Sequence, residues 1–176
     1  KFFLEDGYRE VQSLEINRHA TRFARERLGL TGVFETTREI PRFHYDVVVS
    51  NQVFEHLEQP LQVLEDVIAP SLRPGGLVCL TLPNWESSNR RILGRRWIGY
   101  SPEDHIWFFS GASIRNVMKK SASFELEQTC VRSAVGKSYD GFKPRGLARR
   151  LAYSLIMKTS ERMGRGDQLI VLARRR

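Results

Sequence analysis

Glu55 and His56 stand side by side. His105 lies further along, between an acidic pair, Glu103-Asp104, and an aromatic pair, Trp107-Phe108. Histidine exchanges its proton near neutral pH, so His56 and His105 are candidates to take a proton from an oxygen or nitrogen nucleophile, or to hold that nucleophile in place. Trp85, Trp97 and Tyr100 share the stretch 84–110 with His105. Their rings suit either a substrate platform or the packing beneath a long loop. Glu15 closes a short apolar run, where a carboxylate can accept two hydrogen bonds from ribose hydroxyls. The same residue can equally be a surface acid at a strand end. Ile16 follows it, an apolar residue suited to core packing. Asn51 and Gln52 end another apolar run and present polar groups there. Cys79 and Cys130 sit in apolar runs with no Cys or His beside them, which suits free thiols in a reducing compartment; no metal site is read from the sequence.

These residues need a frame to hold them. Tyr45 to Asn84 supplies part of it: a β-branched run, an amphipathic segment, a Pro-Gly-Gly turn and a second apolar run, Leu77 to Leu82, ending at Pro83-Asn84. That order predicts two buried strands joined by a helix, a βαβ crossover whose strand ends are the working edge of an open sheet. Pro60 suits the first turn of the helix, and Pro70 is expected to end or kink it near Ala69. Upstream, Glu10 to Ile16 is expected to be a strand. Asn17 then caps a helix running to about Leu28, with Gly29 at its stop and Ala20, Phe23, Ala24 and Leu28 on one face. Val33 to Thr36 reads as a short strand. Downstream, Ser110 caps a helix carrying Ile114, Val117 and Met118, and Phe124 to Val131 is a strand. Leu147 to Met163 is a basic amphipathic helix with Leu151, Leu155 and Ile156 on its apolar face. Asp167 to Ala173 is a last strand, free to insert antiparallel. Alternating strands and helices predict an α/β fold, a Rossmann-like, doubly wound and mostly parallel sheet.

The chain has 176 residues, 41% hydrophobic and 27% charged, which suits one domain with a core. No apolar run approaches the ~20 residues of a membrane span, and a cytoplasmic location is expected. The net charge of +8 is uneven. Residues 1–88 hold 9 Lys+Arg against 13 Asp+Glu, and residues 89–176 hold 19 against 7. A basic half is either a solvated surface or a contact for anions: nucleic acid, a phosphorylated substrate, or the headgroups of a membrane surface touched peripherally. Against nucleic acid, the arginine clusters lack interleaved stacking aromatics except at Trp97.

DVVVSNQVFEHLEQP followed by LRPGGLVCLTLPN resembles the central motifs of class I S-adenosylmethionine-dependent methyltransferases. The later PNWESSNRRILGRRWIGYSPEDHIWFFSGASIRNVMKKSASFEL resembles a bacterial small-molecule and glycan branch of them. The resemblance spans about residues 7–132. It implies S-adenosylmethionine as cofactor, with Glu15 at the ribose, Ile16 at the adenine, and Asn51 and Gln52 near its methionine part. It implies His56 and His105 as catalytic or positioning groups and Trp85, Trp97 and Tyr100 at the acceptor, with segments 84–110 and 133–163 shaping the acceptor side of a single domain, 1–176. The acceptor would be a small molecule, a lipid-linked intermediate or a glycan, with an anionic one favoured by the charge. The family's first strand and glycine-rich loop have no match here, so the chain reads as an N-terminally truncated domain, inactive in that form. The family's acid after the third strand has only Glu35 and Glu39 as candidates. Two other readings stay open: a non-catalytic Rossmann-like binding subunit and a basic nucleic-acid-binding protein.

Overall fold

The structure, a computed structural model, describes residues 5–8, 10–133 and 146–176. It divides into two compact units, residues 1–42 and 43–176.

In the first unit, β1 (Ser13–Leu14) pairs in parallel with β2 (Val33–Phe34) around α1 (Arg18–Leu28). Asn17 caps α1 through Oδ1, which accepts from the backbone N–H groups of His19 and Ala20, and Gly29 ends it in the left-handed conformation. Both features follow from the residue types. The strand expected over Glu10 to Ile16 shortens to two residues, because β2 offers only two residues to pair with. The apolar face of α1 is not a core face here: Phe23 and Leu28 are exposed, and Thr21 is the buried side chain.

In the second unit, β3 (Tyr45–Asn51), β4 (Leu72–Pro83), β5 (Phe124–Arg132) and β6 (Gln168–Arg175) form one sheet in the order β3-β4-β6-β5. The β3–β4 pair is parallel, and β6 inserts antiparallel between β4 and β5. α2 joins β3 to β4. It starts with Pro60 in its first turn (Pro60–Val63), passes through a π turn (Leu64–Ile68) and ends as Ala69–Ser71. The helix thus ends at Ser71, directly after Pro70 and close to the end expected near Ala69, with a π turn just before it. α3 (Ser88–Leu93), α4 (Gly111–Lys120) and α5 (Leu147–Arg162) complete the unit. Leu64, Ile68 and Leu72 pack with Val78, Leu80 and Leu82 of β4, Ile114 and Met118 of α4, Phe124, and Leu169 and Val171 of β6 into the core.

Three expectations change. β3 is not buried on both faces: Val48 packs against the core, while Val47 and Val49 are exposed. Among the described strands it lies at the sheet edge, and successive side chains point to opposite faces, only one of which meets the core. Pro74-Gly75-Gly76 is not a free turn before β4 but an excursion within it. Tyr45 stands opposite Leu72 and Val47 opposite Leu77, so residues 73–76 bulge out between the two registers. Gly75 takes a positive φ there, and Arg174 of β6 donates to its carbonyl at 2.7 Å. Finally, Leu151, Leu155 and Ile156 of α5 are exposed, whereas Met157 and Ser160 face inward.

Candidate active site

The carboxyl ends of β3 and β4 carry the polar groups that the sequence singled out. Asn51, the last residue of β3, accepts a short hydrogen bond on Oδ1 from the Thr81 hydroxyl of the neighbouring strand. Gln52 follows with φ of 54°, a conformation uncommon outside glycine, while its N–H donates to the Thr81 carbonyl at 2.9 Å. Its side-chain Nε2 is buried without a partner. Backbone strain and an orphaned donor at a strand exit are features of binding sites. Residue types alone gave no sign of either.

The chain then makes a single 3-10 turn, Phe54–His56. Phe54 anchors it in the core, and the turn buries the Glu55 side chain to 1% exposure. The Glu55 carbonyl accepts from the N–H groups of Ile106 and Trp107, at 2.8 and 3.1 Å. The indole of Trp107 donates to the Leu57 carbonyl at 2.8 Å. These bonds pin the 84–110 loop to the end of β3 and bring His105 to His56, with ring centroids 4.7 Å apart. Burial pushes the Glu55 carboxyl above the ordinary range; its own backbone N–H and the imidazoles of His56 and His105 pull the other way but do not offset it.

Beyond His105 the loop closes an aromatic group. Phe108 lies 4.7 Å from Trp85 and 5.7 Å from Tyr100, centroid to centroid, and 6.3 Å from the His105 ring. The Arg90 guanidinium sits 4.1 Å over the Trp85 ring, a cation–π arrangement that leaves positive charge at the aromatic edge. Trp97 is placed differently. It is 3% exposed and its ring lies across Gly99, where a Cβ would approach it to 2.3 Å. Its ring packs the loop, while Trp85, Tyr100 and Phe108 form the half-buried group. A cleft of about 700 Å³ opens from Glu86, next to Trp85; its charged lining includes Arg115, Lys158 and Arg162, with Arg132 paired to Glu161 at 2.9 Å.

In the first unit, Glu15 follows β1. Its Oε1 accepts from the Asn17 N–H at 2.8 Å, which orients the carboxylate and leaves Oε2 open. Ile16 is 77% exposed, so core packing does not account for it. Glu35 is held by Arg25 at 2.6 Å, and Glu39 accepts from the Thr36 hydroxyl at 3.0 Å. Both acids serve local structure.

A family model described as a methyltransferase domain matches residues 5–129, a span that contains Glu15, the Gln52–His56 turn and the aromatic loop. The chain belongs to the methyltransferase-domain family. Solved structures agree on the fold. A SAM-dependent methyltransferase from Archaeoglobus fulgidus superposes with a TM-score of 0.63 at 15% identity, covering 98% of this chain and 79% of that one. One from Mesorhizobium loti gives 0.60 at 18%, with 99% and 84% covered. One from Thermotoga maritima gives 0.61 at 16%, with 93% and 72% covered. Among curated proteins, none matches the chain.

The methyltransferase is an enzyme whose family uses S-adenosylmethionine as methyl donor. The residues present fit that group in two places. The oriented Glu15 carboxylate with exposed Ile16 beside it suits a ribose and a purine face, and the orphaned Gln52 amide suits an acceptor atom brought by a ligand.

Proposed function

We propose that this methyltransferase binds S-adenosylmethionine with Glu15 at the ribose, Ile16 at the adenine and Asn51-Gln52 near the methionine part, and methylates a small anionic, lipid-linked or glycan acceptor. The bound cofactor supplies an electrophilic methyl group, and the protein supplies alignment and a place for the acceptor's proton. Gln52 carries this reading: a strained strand exit with a buried, unpartnered donor is costly unless a ligand uses it. Trp85, Tyr100 and Phe108 receive the acceptor, His105 and His56 orient its nucleophilic atom, and Trp97 supports the loop from beneath. The Arg90 guanidinium and the basic cleft beyond Glu86 favour an acceptor with negative charge.

Calorimetric titration of the native gene product with S-adenosylmethionine tests the cofactor assignment. Replacing Glu15→Ala removes charge-assisted hydrogen bonds worth about 1.5–3 kcal/mol, so affinity falls at least about tenfold. Unchanged affinity in Glu15→Ala would remove Glu15 from the site.

One further observation bears on where the acceptor is met. Leu147, Leu151 and Leu155 are exposed along α5, and Lys158 and Arg162 follow on the same helix. Exposed leucines beside basic residues suit the surface of an anionic membrane, which favours a lipid-linked acceptor.

A further inference from the structure

Glu55, His56 and His105 do more than the methyl-transfer reading asks of them. Each offers a ligand atom within 4.8 Å of the other two. Among the described residues, no hydrogen bond or ion pair joins the three, so the space between them is wider than a hydrogen bond and about the width of one bound atom. Glu55 is the decisive member. The residue is 1% exposed, and neither carboxylate oxygen has a hydrogen bond from any other residue. A buried carboxylate left this way costs several kcal/mol. Protonation would remove the charge but not the unmet hydrogen bonding, because the acid would then hold an unpartnered O–H donor.

The two imidazoles are set up to answer that need. His56 Nδ1 lies 2.9 Å from the Asp104 carbonyl, and His105 Nδ1 lies 3.1 Å from the Gly99 carbonyl. A carbonyl only accepts, so both Nδ1 atoms carry the hydrogen, and both Nε2 atoms of the neutral rings keep a lone pair. Metal-binding histidines are held in this way, one nitrogen donating to a backbone carbonyl and the other facing the ion. The carbonyls of Gly99 and Asp104 both belong to the 84–110 loop, so that loop fixes both tautomers.

We propose that Glu55, His56 and His105 bind one divalent transition-metal ion through the Glu55 carboxylate and the two histidine Nε2 atoms. Two imidazoles and one carboxylate suit zinc and its neighbours, with bonds of about 2.0–2.2 Å. Tetrahedral bonds of that length set ligand atoms about 3.4 Å apart, so atoms now within 4.8 Å of one another must draw together by about 1 Å, a rotamer adjustment of the exposed His56 and half-buried His105. The set leaves coordination positions open, and the His105 ring stands 6.3 Å from Phe108 in the aromatic group. An acceptor oxygen can fill an open position and lose its proton more readily there. That role rests on the methyl-transfer reading; the binding of the ion does not.

Co2+ titration of the native gene product, first stripped with a chelator, tests the site by calorimetry and by the visible absorption of the bound ion. One Co2+ per chain is expected. Glu55→Gln and His105→Asn are each expected to weaken binding at least about tenfold, as loss of even a supporting partner costs 10–100-fold. His19→Asn, at an exposed histidine of the first unit, should bind as the native protein does. Circular dichroism confirms that each variant is folded. If Glu55→Gln fails to fold, His105→Asn decides alone, because its side chain is only half-buried. No stoichiometric uptake, or equal affinity in the folded variants, overturns the proposal. Uptake of Co2+ without binding of S-adenosylmethionine would leave the metal site standing and sink the function proposed above.

Discussion

Gly76 has no room for a methyl group. A Cβ there would come within 2.9 Å of the Arg73 carbonyl and 3.2 Å of the Asp46 carbonyl, both backbone atoms that cannot step aside. The bulge that carries it lets β3 and β4 change register, so the strain reaches the strand pair that ends in Asn51 and Thr81. Gly76→Ala should lower stability by about 1–3 kcal/mol, read from urea unfolding. Gly99 is crowded for a different reason. The Trp97 ring lies over it, and a Cβ would reach that ring at 2.3 Å. Gly99→Ala should expel the indole from its buried place, seen as a red shift of tryptophan emission, and weaken acceptor binding more than cofactor binding. The glycines were visible in the sequence, and Arg73 and Trp97 are near neighbours of theirs, but the conformations that turn that carbonyl and that ring back onto them, and the approach of Asp46 from β3, depend on the folded path of the chain.

Between α2 and the loop after α4, one carboxylate does the joining. Glu65 lies in the π turn of α2 and accepts from the hydroxyls of Ser121 and Ser123 and from the Ser123 N–H. Burial raises its carboxyl, but these donors, with the Ala122 N–H, outweigh burial and hold it below the ordinary range. A carboxyl lowered on folding stabilises the protein above its unfolded pKa of about 4.3, and that stability is lost as pH falls through the lower folded value. Ser121→Ala with Ser123→Ala should therefore cost about 1 kcal/mol at pH 7, allowing for the partial exposure of Glu65, and almost nothing in acid below both pKa values. Urea unfolding at the two pH values checks this; an equal loss at both would assign the effect to packing. Helix starts were legible. Asn17 and Ser110 cap as their types suggest, the latter in a capping box with Ser113, because capping needs only residues within one turn. The π turn was not legible, since Pro60 and Pro70 frame what looks like an ordinary short helix.

Charge and apolar surface act at the scale of the whole chain. The basic C-terminal half includes three final arginines, and these are largely structural. Arg174 pairs with Glu127 at 2.5 Å, Arg175 donates to the Leu72 carbonyl and covers the Phe43 ring, and Arg176 donates to the Ala122 carbonyl. The exposed leucines of α5 with Lys158 and Arg162 leave a better candidate for a membrane surface. Co-sedimentation with phosphatidylcholine vesicles containing phosphatidylserine should fall at least about tenfold for Leu151→Ser with Leu155→Ser, and should weaken with added salt. Binding that ignores both changes would leave the leucines to another partner. No helix among the described residues is long and apolar enough to cross a membrane. The sequence by itself determined the α/β class, the βαβ segment, the caps and the identity of most candidate groups, because hydrophobic period, turn residues and motif order are local properties. Tertiary structure decided the rest. β3 took the edge of the described sheet with one face uncovered, the leucines of α5 turned outward, Trp97 went beneath the loop, and Glu55 was buried between two histidines about 50 residues apart in the chain. Each of these depends on which distant segment packs against which, and burial, unlike periodicity, is not carried by a residue and its near neighbours.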